Sequence, residues 1–196
     1  MDEALLRAAK WRRRLAADMD EIISGLWVGS LRDALDADKI RRHNIAAIVS
    51  IIDFKNVSTI AKNCQCKHIF IRLADSPDQH VMAHFADVCT FIHAHRMQGK
   101  NVLVHCLAGV SRSVCFIIAY LMISISSLDY TKALAFVESK RVGANPNFGF
   151  RMQLRKFEEN LMNEREKFRA AFSHDVLEFE RLKNHDCLCI NAYNLN

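Results

Sequence analysis

The sequence contains no apolar run long enough to cross a membrane. Its most apolar stretch, residues 114–125, is too short to span a bilayer and is therefore predicted to lie in a core. No basic stripe with interleaved aromatic residues is present, so nucleic acid is not an expected partner. Internal repeats and low-complexity segments are also lacking. These absences favour an ordinary folded domain.

The seven cysteines do not indicate a disulfide framework, because their number is odd and their spacing is scattered. The chain begins Met-Asp, which shows neither a secretory signal peptide nor the Met-Gly pattern of N-myristoylation. We therefore expect a reducing compartment, the cytoplasm, with the nucleus as a second location. His174, His185, Cys187 and Cys189 fit no standard zinc spacing, so neither a metal nor another cofactor is expected.

The length of 196 residues suits one domain with extensions, and the net charge of +5 suits an anionic substrate. Strand-like segments alternate with helix-like segments, which predicts an α/β fold with a central, mostly parallel β-sheet flanked by helices. We divide the chain into an N-terminal helical extension (1–20), a catalytic domain (21–160) and a charged C-terminal helical tail (161–196). The tail is predicted either to fold back on the domain or to bind a partner.

The most informative stretch is residues 104–113, which follows a short apolar run and precedes a long one. This pattern predicts a buried strand, a tight loop and a buried helix. The loop carries Cys106 and Arg112, with five residues between them. Inward-turned amides and a helix N-terminus can form a concave site for a phosphate dianion, which Arg112 would bind through two oxygens. The predicted phosphate-binding residues are Leu107, Ala108, Gly109, Val110, Ser111 and Arg112.

Cys106 is the candidate nucleophile of this site. A thiol beside Arg112 and a helix N-terminus loses its proton below pH 8, and a thiolate under a bound phosphate is correctly placed to attack it. The alternative is a buried structural cysteine. A bare Cys-x5-Arg spacing is weak evidence, but His-Cys-x2-Gly-x2-Arg-Ser between a strand and a helix is specific.

This stretch resembles the signature loop of the cysteine-dependent protein tyrosine phosphatases, and in particular their small dual-specificity class. Further matches are Ala-Asp-Ser-Pro at 74–77 and Ala-Asn-Pro-Asn-Phe-Gly-Phe at 144–150. The similarity runs from about residue 22 to residue 158 and is strongest to atypical short members typified by the Jun-kinase-stimulatory phosphatase. The resemblance implies hydrolysis of phosphotyrosine and phosphoserine or phosphothreonine on proteins, including those of a MAP-kinase pathway, through a cysteinyl phosphate.

The resemblance also implies roles for residues around the loop. Asp75, on a turn upstream of the nucleophile, would be the general acid, and Asp78 is the alternative. Ser113 would donate a hydrogen bond to the departing thiolate. His105 would orient the loop, and Asn145 would brace it.

Two functions from different classes remain open at this point. The first is an active dual-specificity protein phosphatase. The second is a pseudophosphatase-like scaffold that binds phosphate, is catalytically weak and acts through its terminal helices. The combination of Cys106, Arg112, Asp75 and Ser113 favours the enzyme, because a protein that only binds phosphate needs no general acid.

Overall fold

The computed structural model describes residues 18–53, 60 and 65–194. Within these residues one five-stranded sheet has the order β1-β2-β5-β3-β4. Its strands are β1 (Asp20–Ile23), β2 (Leu26–Gly29), β3 (Ile45–Ile52), β4 (Lys67–Arg72) and β5 (Asn101–His105). β1 pairs antiparallel with β2, and the other three pairings are parallel. The predicted mostly parallel sheet is confirmed.

The helices lie between and after these strands. They are α1 (Leu31–Leu35), α2 (Ala37–Arg42), a 3₁₀ turn (Val81–His84), α3 (Phe85–Met97), α4 (Arg112–Ser124), α5 (Tyr130–Lys140), α6 (Phe148–Glu159), α7 (Leu161–Ala171) and α8 (Val176–Asn194). None of the helices in the described ranges is long and apolar enough to cross a membrane.

The centre of the domain is β5 and the helix that follows it. β5 lies between β2 and β3, and every residue of α4 is buried. The apolar run at 114–125 is therefore core, as predicted, because no polar face interrupts it. This arrangement places the loop between β5 and α4 at the carboxyl end of the central strand, where open α/β sheets bind ligands.

Leu35 and Ile40 lie on one apolar side of residues 31–43 and predict a single helix there, but the structure interrupts it at Asp36. Asp36 ends α1 and caps α2, where its carboxylate accepts the amides of Asp38 and Lys39, both at 3.1 Å. An aspartate bonds amides two and three residues ahead more readily than it continues a helix. The apolar spacing across the two helices is similar, so it did not reveal the break.

The N-terminal prediction is tested only at its end, because residues 1–17 lie outside the described residues. Asp20 begins β1, so the predicted helix cannot extend to residue 20. Only Ile22 and Ile23 of the four residues in β1 are buried. The apolar pattern of this strand is therefore too short to indicate a strand from the sequence. For residues 53–66 the sequence predicts a loop or a short helix around 57–61. Of residues 57–61 only Ile60, which is helical and buried, is among the described residues.

The C-terminal tail folds back on the domain as two helices. The His93 ring on α3 packs against Phe168, Phe172 and Phe179, with ring centroids 5.0, 4.8 and 4.7 Å away. Asp186 on α8 accepts two hydrogen bonds from Arg96, of 2.7 and 2.8 Å. The first of the two predicted arrangements of the tail is therefore the observed one. The division of the chain at residue 160 stays a prediction.

Candidate active site

The loop after β5 depends on glycine at position 109. Gly109 has φ +69, and a Cβ there would lie 2.6 Å from the carbonyl oxygen of Gly29. Only glycine, which has no Cβ, can adopt this backbone angle and approach the Gly29 carbonyl so closely. The conformation directs the Gly109 amide to the Cys106 Sγ atom, at 3.2 Å.

Cys106 is buried, and its thiol is surrounded by groups that favour the thiolate. Burial by itself raises the pKa of Cys106. The hydroxyl of Ser113, 3.4 Å from Sγ, the amides of Ser113 and Val110, and the charge of Arg112 together outweigh burial. The pKa of Cys106 therefore lies below its ordinary value, and the thiol is activated for attack.

Two other buried cysteines show the effect of burial without such partners. Burial raises the pKa of Cys89 and of Cys115 far above the ordinary thiol value. Both thiols are therefore protonated at neutral pH and unreactive. The contrast comes from the local hydrogen bonds at Cys106, since all three side chains are buried.

Arg112 is the first residue of α4 and is buried at the base of the loop. Its Nη1 atom donates to the Leu73 carbonyl oxygen at 3.0 Å and lies 3.6 Å from an Asp53 carboxylate oxygen. Its Nε atom is 3.8 Å from Asp75 and has no hydrogen-bond partner among the described residues. This buried N–H can therefore donate to an oxyanion. Asp53 was not predicted, because nothing local to the end of β3 marks it.

Residues 74–80 form a loop that carries Asp75, which we call the acid loop, and it contacts the phosphate loop directly through Asp75. The Ser111 hydroxyl donates to the Asp75 carboxylate at 2.7 Å, and the Asn147 side-chain amide donates to the same oxygen at 2.8 Å. The main-chain N–H of Asn147 donates to the Ser111 hydroxyl at 3.1 Å, which closes the network. Asp75 is thus held above the phosphate loop by two residues whose role sequence reasoning missed.

Asp78, the alternative general acid, is placed differently. Its exposed carboxylate accepts the Ser76 hydroxyl, and this hydrogen bond lowers the pKa of Asp78. Asp78 contacts Ser76 within its own turn, whereas Asp75 contacts Ser111 in the phosphate loop. The geometry therefore favours Asp75.

His105 connects the loop to the interior of the sheet. Its Nδ1 atom lies 3.2 Å from the Cys106 carbonyl oxygen, which can only accept, so this nitrogen carries the proton. The Nε2 atom then accepts the Ser50 hydroxyl, and Ser50 in turn accepts from His68 Nε2 at 2.7 Å. Burial lowers the pKa of His105 to about 4, so the ring is neutral at pH 7.

Asn145 contacts the loop through its main chain. Its N–H donates to the Val110 carbonyl oxygen at 2.8 Å, while its side chain accepts from Arg151. The side chain that braces the loop is that of Arg141, whose Nε donates to the Gly109 carbonyl oxygen at 3.2 Å. Arg141 ends α5, far from the loop in sequence, so no motif spacing could identify it.

Comparison with known proteins shows what family this site belongs to. Residues 26–160 match the family model described as the dual specificity phosphatase catalytic domain. The chain is 37% identical to mouse dual specificity protein phosphatase 22 over 172 residues, covering 87% of this chain and 91% of that protein.

Two solved structures are similar in fold over most of their length. The crystal structure of DUSP15 superposes with a TM-score of 0.71 at 32% identity, covering 80% of this chain and 97% of that one. The human tyrosine phosphatase-like serine/threonine/tyrosine-interacting protein superposes with a TM-score of 0.68 at 33% identity, covering 74% and 98%. The chain therefore belongs to the dual-specificity phosphatase family and is a dual-specificity protein phosphatase.

Proposed function

We propose that this enzyme hydrolyses phosphotyrosine and phosphoserine or phosphothreonine on proteins through a cysteinyl phosphate formed on Cys106. One observation carries the proposal: the thiol whose pKa is lowered lies in the same loop as the glycine turn and the buried arginine. The nucleophile and the groups that neutralise a phosphoryl dianion therefore share one short, rigid segment. Such preorganised charge stabilisation is the main requirement of phosphoryl transfer.

The first step transfers the phosphoryl group to sulfur. The Cys106 thiolate attacks phosphorus and forms a P–S bond, while the P–O bond to the substrate breaks. The loop amides and Arg112 stabilise charge on the equatorial oxygens. The leaving oxygen takes a proton from Asp75, which must be protonated when the substrate binds. Ser111 and Asn147, 2.7 and 2.8 Å from this carboxylate, position it.

The second step hydrolyses the intermediate. Asp75, now ionised, takes a proton from water as the water oxygen attacks phosphorus, and the P–S bond breaks. The departing thiolate is stabilised by Ser113 and the Gly109 amide, at 3.4 and 3.2 Å from sulfur. Inorganic phosphate leaves, and the resting thiolate is restored.

An open rim supports action on more than one phosphorylated residue. Leu107, the residue after the nucleophile, is exposed, and so is Asp75 on the facing loop. A shallow site admits the short side chains of phosphoserine and phosphothreonine as well as the longer phosphotyrosine. We extend the proposal to substrates of a MAP-kinase pathway in the cytoplasm or the nucleus, on the basis of the resemblance and of the odd number and scattered spacing of the cysteines in the sequence.

The test is leaving-group dependence in Asp75→Asn, with Asp78→Asn as the matched control. A phenol of low pKa departs without protonation, so a highly activated aryl phosphate should lose little activity. The catalytic efficiency of Asp75→Asn toward phosphoserine should fall by roughly 100- to 10,000-fold, which is the contribution typical of general acid catalysis. Catalytic efficiency would be measured over aryl phosphates of graded leaving-group pKa.

Three results would contradict this mechanism. Steepening of the leaving-group dependence in Asp78→Asn alone would move the general acid three residues along the loop. Absence of any turnover by the wild type, with retained binding of phosphate, would favour the scaffold hypothesis. A Cys106→Ser variant that turned over steadily would remove the nucleophile assignment, because a serine hydroxyl is not ionised there.

A further inference from the structure

An apolar groove adjoins the phosphate loop on the side of α1. Leu107 of the loop is 54% exposed, and Leu35 at the end of α1 is 40% exposed. Leu31, which is half-buried, lines the groove between them, and Arg32 and Asp36 complete it. The groove is shallow and open to solvent, with a volume of about 570 Å³. We call it the leucine groove.

The leucine groove is fixed to the catalytic loop. The main-chain N–H of Leu31 donates to the Leu107 carbonyl oxygen at 3.2 Å, so the start of α1 is bonded to the residue after the nucleophile. Gly109 packs against the Gly29 carbonyl at the end of β2, just before α1. The groove and the phosphate site are therefore parts of one rigid unit.

This continuity identifies what covers the groove. A phosphorylated side chain that enters the loop brings its own backbone over the rim formed by Leu107. A residue close to the phosphorylated one in sequence is then within reach of Leu31 and Leu35. Removing these leucine surfaces from water is favourable only if the covering side chain is apolar.

Charge contributes little to selection in this groove. Arg32 and Asp36 have opposite signs, and the Asp36 carboxylate already accepts two amides of α2. We propose that the leucine groove binds an apolar side chain of the substrate protein within two residues of the phosphorylated residue. This inference rests on the proposed function, since it assumes that phosphate enters the loop.

A second apolar surface near the site makes the test discriminating. Phe148 at the start of α6 is 73% exposed and follows Asn147, which binds Asp75. Met152, one turn further along the same helix face, is also exposed. This surface lies beside the acid loop, and the Leu31–Leu107 hydrogen bond does not connect to it.

The experiment compares phosphopeptides that carry leucine or serine at each of the two positions before and after the phosphorylated residue. For wild type we expect roughly tenfold or greater preference in catalytic efficiency for leucine at one position, because a hydrophobic pocket discriminates by about that much. Leu35→Glu and Leu35→Ser should both abolish the preference. Turnover of a small aryl phosphate should stay unchanged, because Leu35 is not one of the residues that bind or attack the phosphate.

The matched control is Leu177→Glu. Leu177 is an exposed leucine on α8, the helix that packs against α3. It should keep the leucine preference, and thermal unfolding should show that all variants are folded. Three results would overturn the proposal: no preference in wild type, a preference that survives in Leu35→Glu, or one that disappears in Phe148→Ser instead. A wild type that does not hydrolyse a small aryl phosphate is a separate result, which would refute the proposed function.

Discussion

Removing the Ser113 hydroxyl should make Cys106 a weaker acid by a predictable amount. Among the groups that lower the pKa of Cys106, the hydrogen bond from the Ser113 side chain has the largest effect. A hydrogen bond to a charged group is worth about 1.5–3 kcal/mol. Since one pKa unit corresponds to about 1.4 kcal/mol, Ser113→Ala should raise the pKa of Cys106 by about 1 to 2.

The measurement is the rate of alkylation of Cys106 as a function of pH. The midpoint of the rate profile reports the thiolate, and Cys89 and Cys115 do not interfere because burial raises their pKa values. Ser124→Ala is the matched control: Ser124 is a buried serine in the same helix whose hydroxyl donates to the Tyr120 carbonyl oxygen. The control should leave the midpoint unchanged.

Pre-steady-state kinetics provide a second readout of the same hydrogen bond. Ser113 stabilises the thiolate as it leaves, so breakdown of the cysteinyl phosphate should slow and the intermediate should accumulate. If Ser113→Ala left both the alkylation midpoint and the intermediate level as in wild type, the hydroxyl would not act on the thiolate. Equal changes in Ser113→Ala and Ser124→Ala would instead indicate a general effect of helix destabilisation.

Three further predictions concern charge and stability. Arg112→Lys should lower the catalytic efficiency severely, because a point charge replaces a planar fork; near-normal steady-state kinetics would make Arg112 structural only. Asp186→Asn should destabilise the fold by roughly 3–5 kcal/mol, since it leaves the buried Arg96 charge unpaired; a change in chemical denaturation below about 1 kcal/mol would contradict this. Burial lowers the pKa of His93 to about 3, so the folded state resists a proton that the unfolded chain accepts below about 6.5. The free energy of unfolding should therefore decrease as the pH drops from about 6.5 toward 3. Urea titrations at pH 7 and pH 5 should show a smaller decrease between the two pH values for His93→Gln than for the wild type.

That the central residues of the candidate site lie together could be predicted from the sequence, because these residues are close to one another in the chain. Cys106, Gly109 and Arg112 lie within one loop between a strand and a helix, and their spacing alone places a thiol, a glycine turn and a guanidinium together. The burial of α4 could likewise be predicted from its continuously apolar sequence, since a helix without a polar face has no surface to expose to water.

The supporting contacts depend on tertiary structure, because their partners are far apart in the chain. Asn147 reaches Asp75 across 72 positions, and Arg141 reaches Gly109 across 32. No periodicity links such pairs, since they meet only when α5 and α6 pack beside the carboxyl end of β5. The leucine groove has the same origin. A main-chain hydrogen bond joins α1 to the phosphate loop, and any residue except proline could donate it, so no side-chain pattern reveals it.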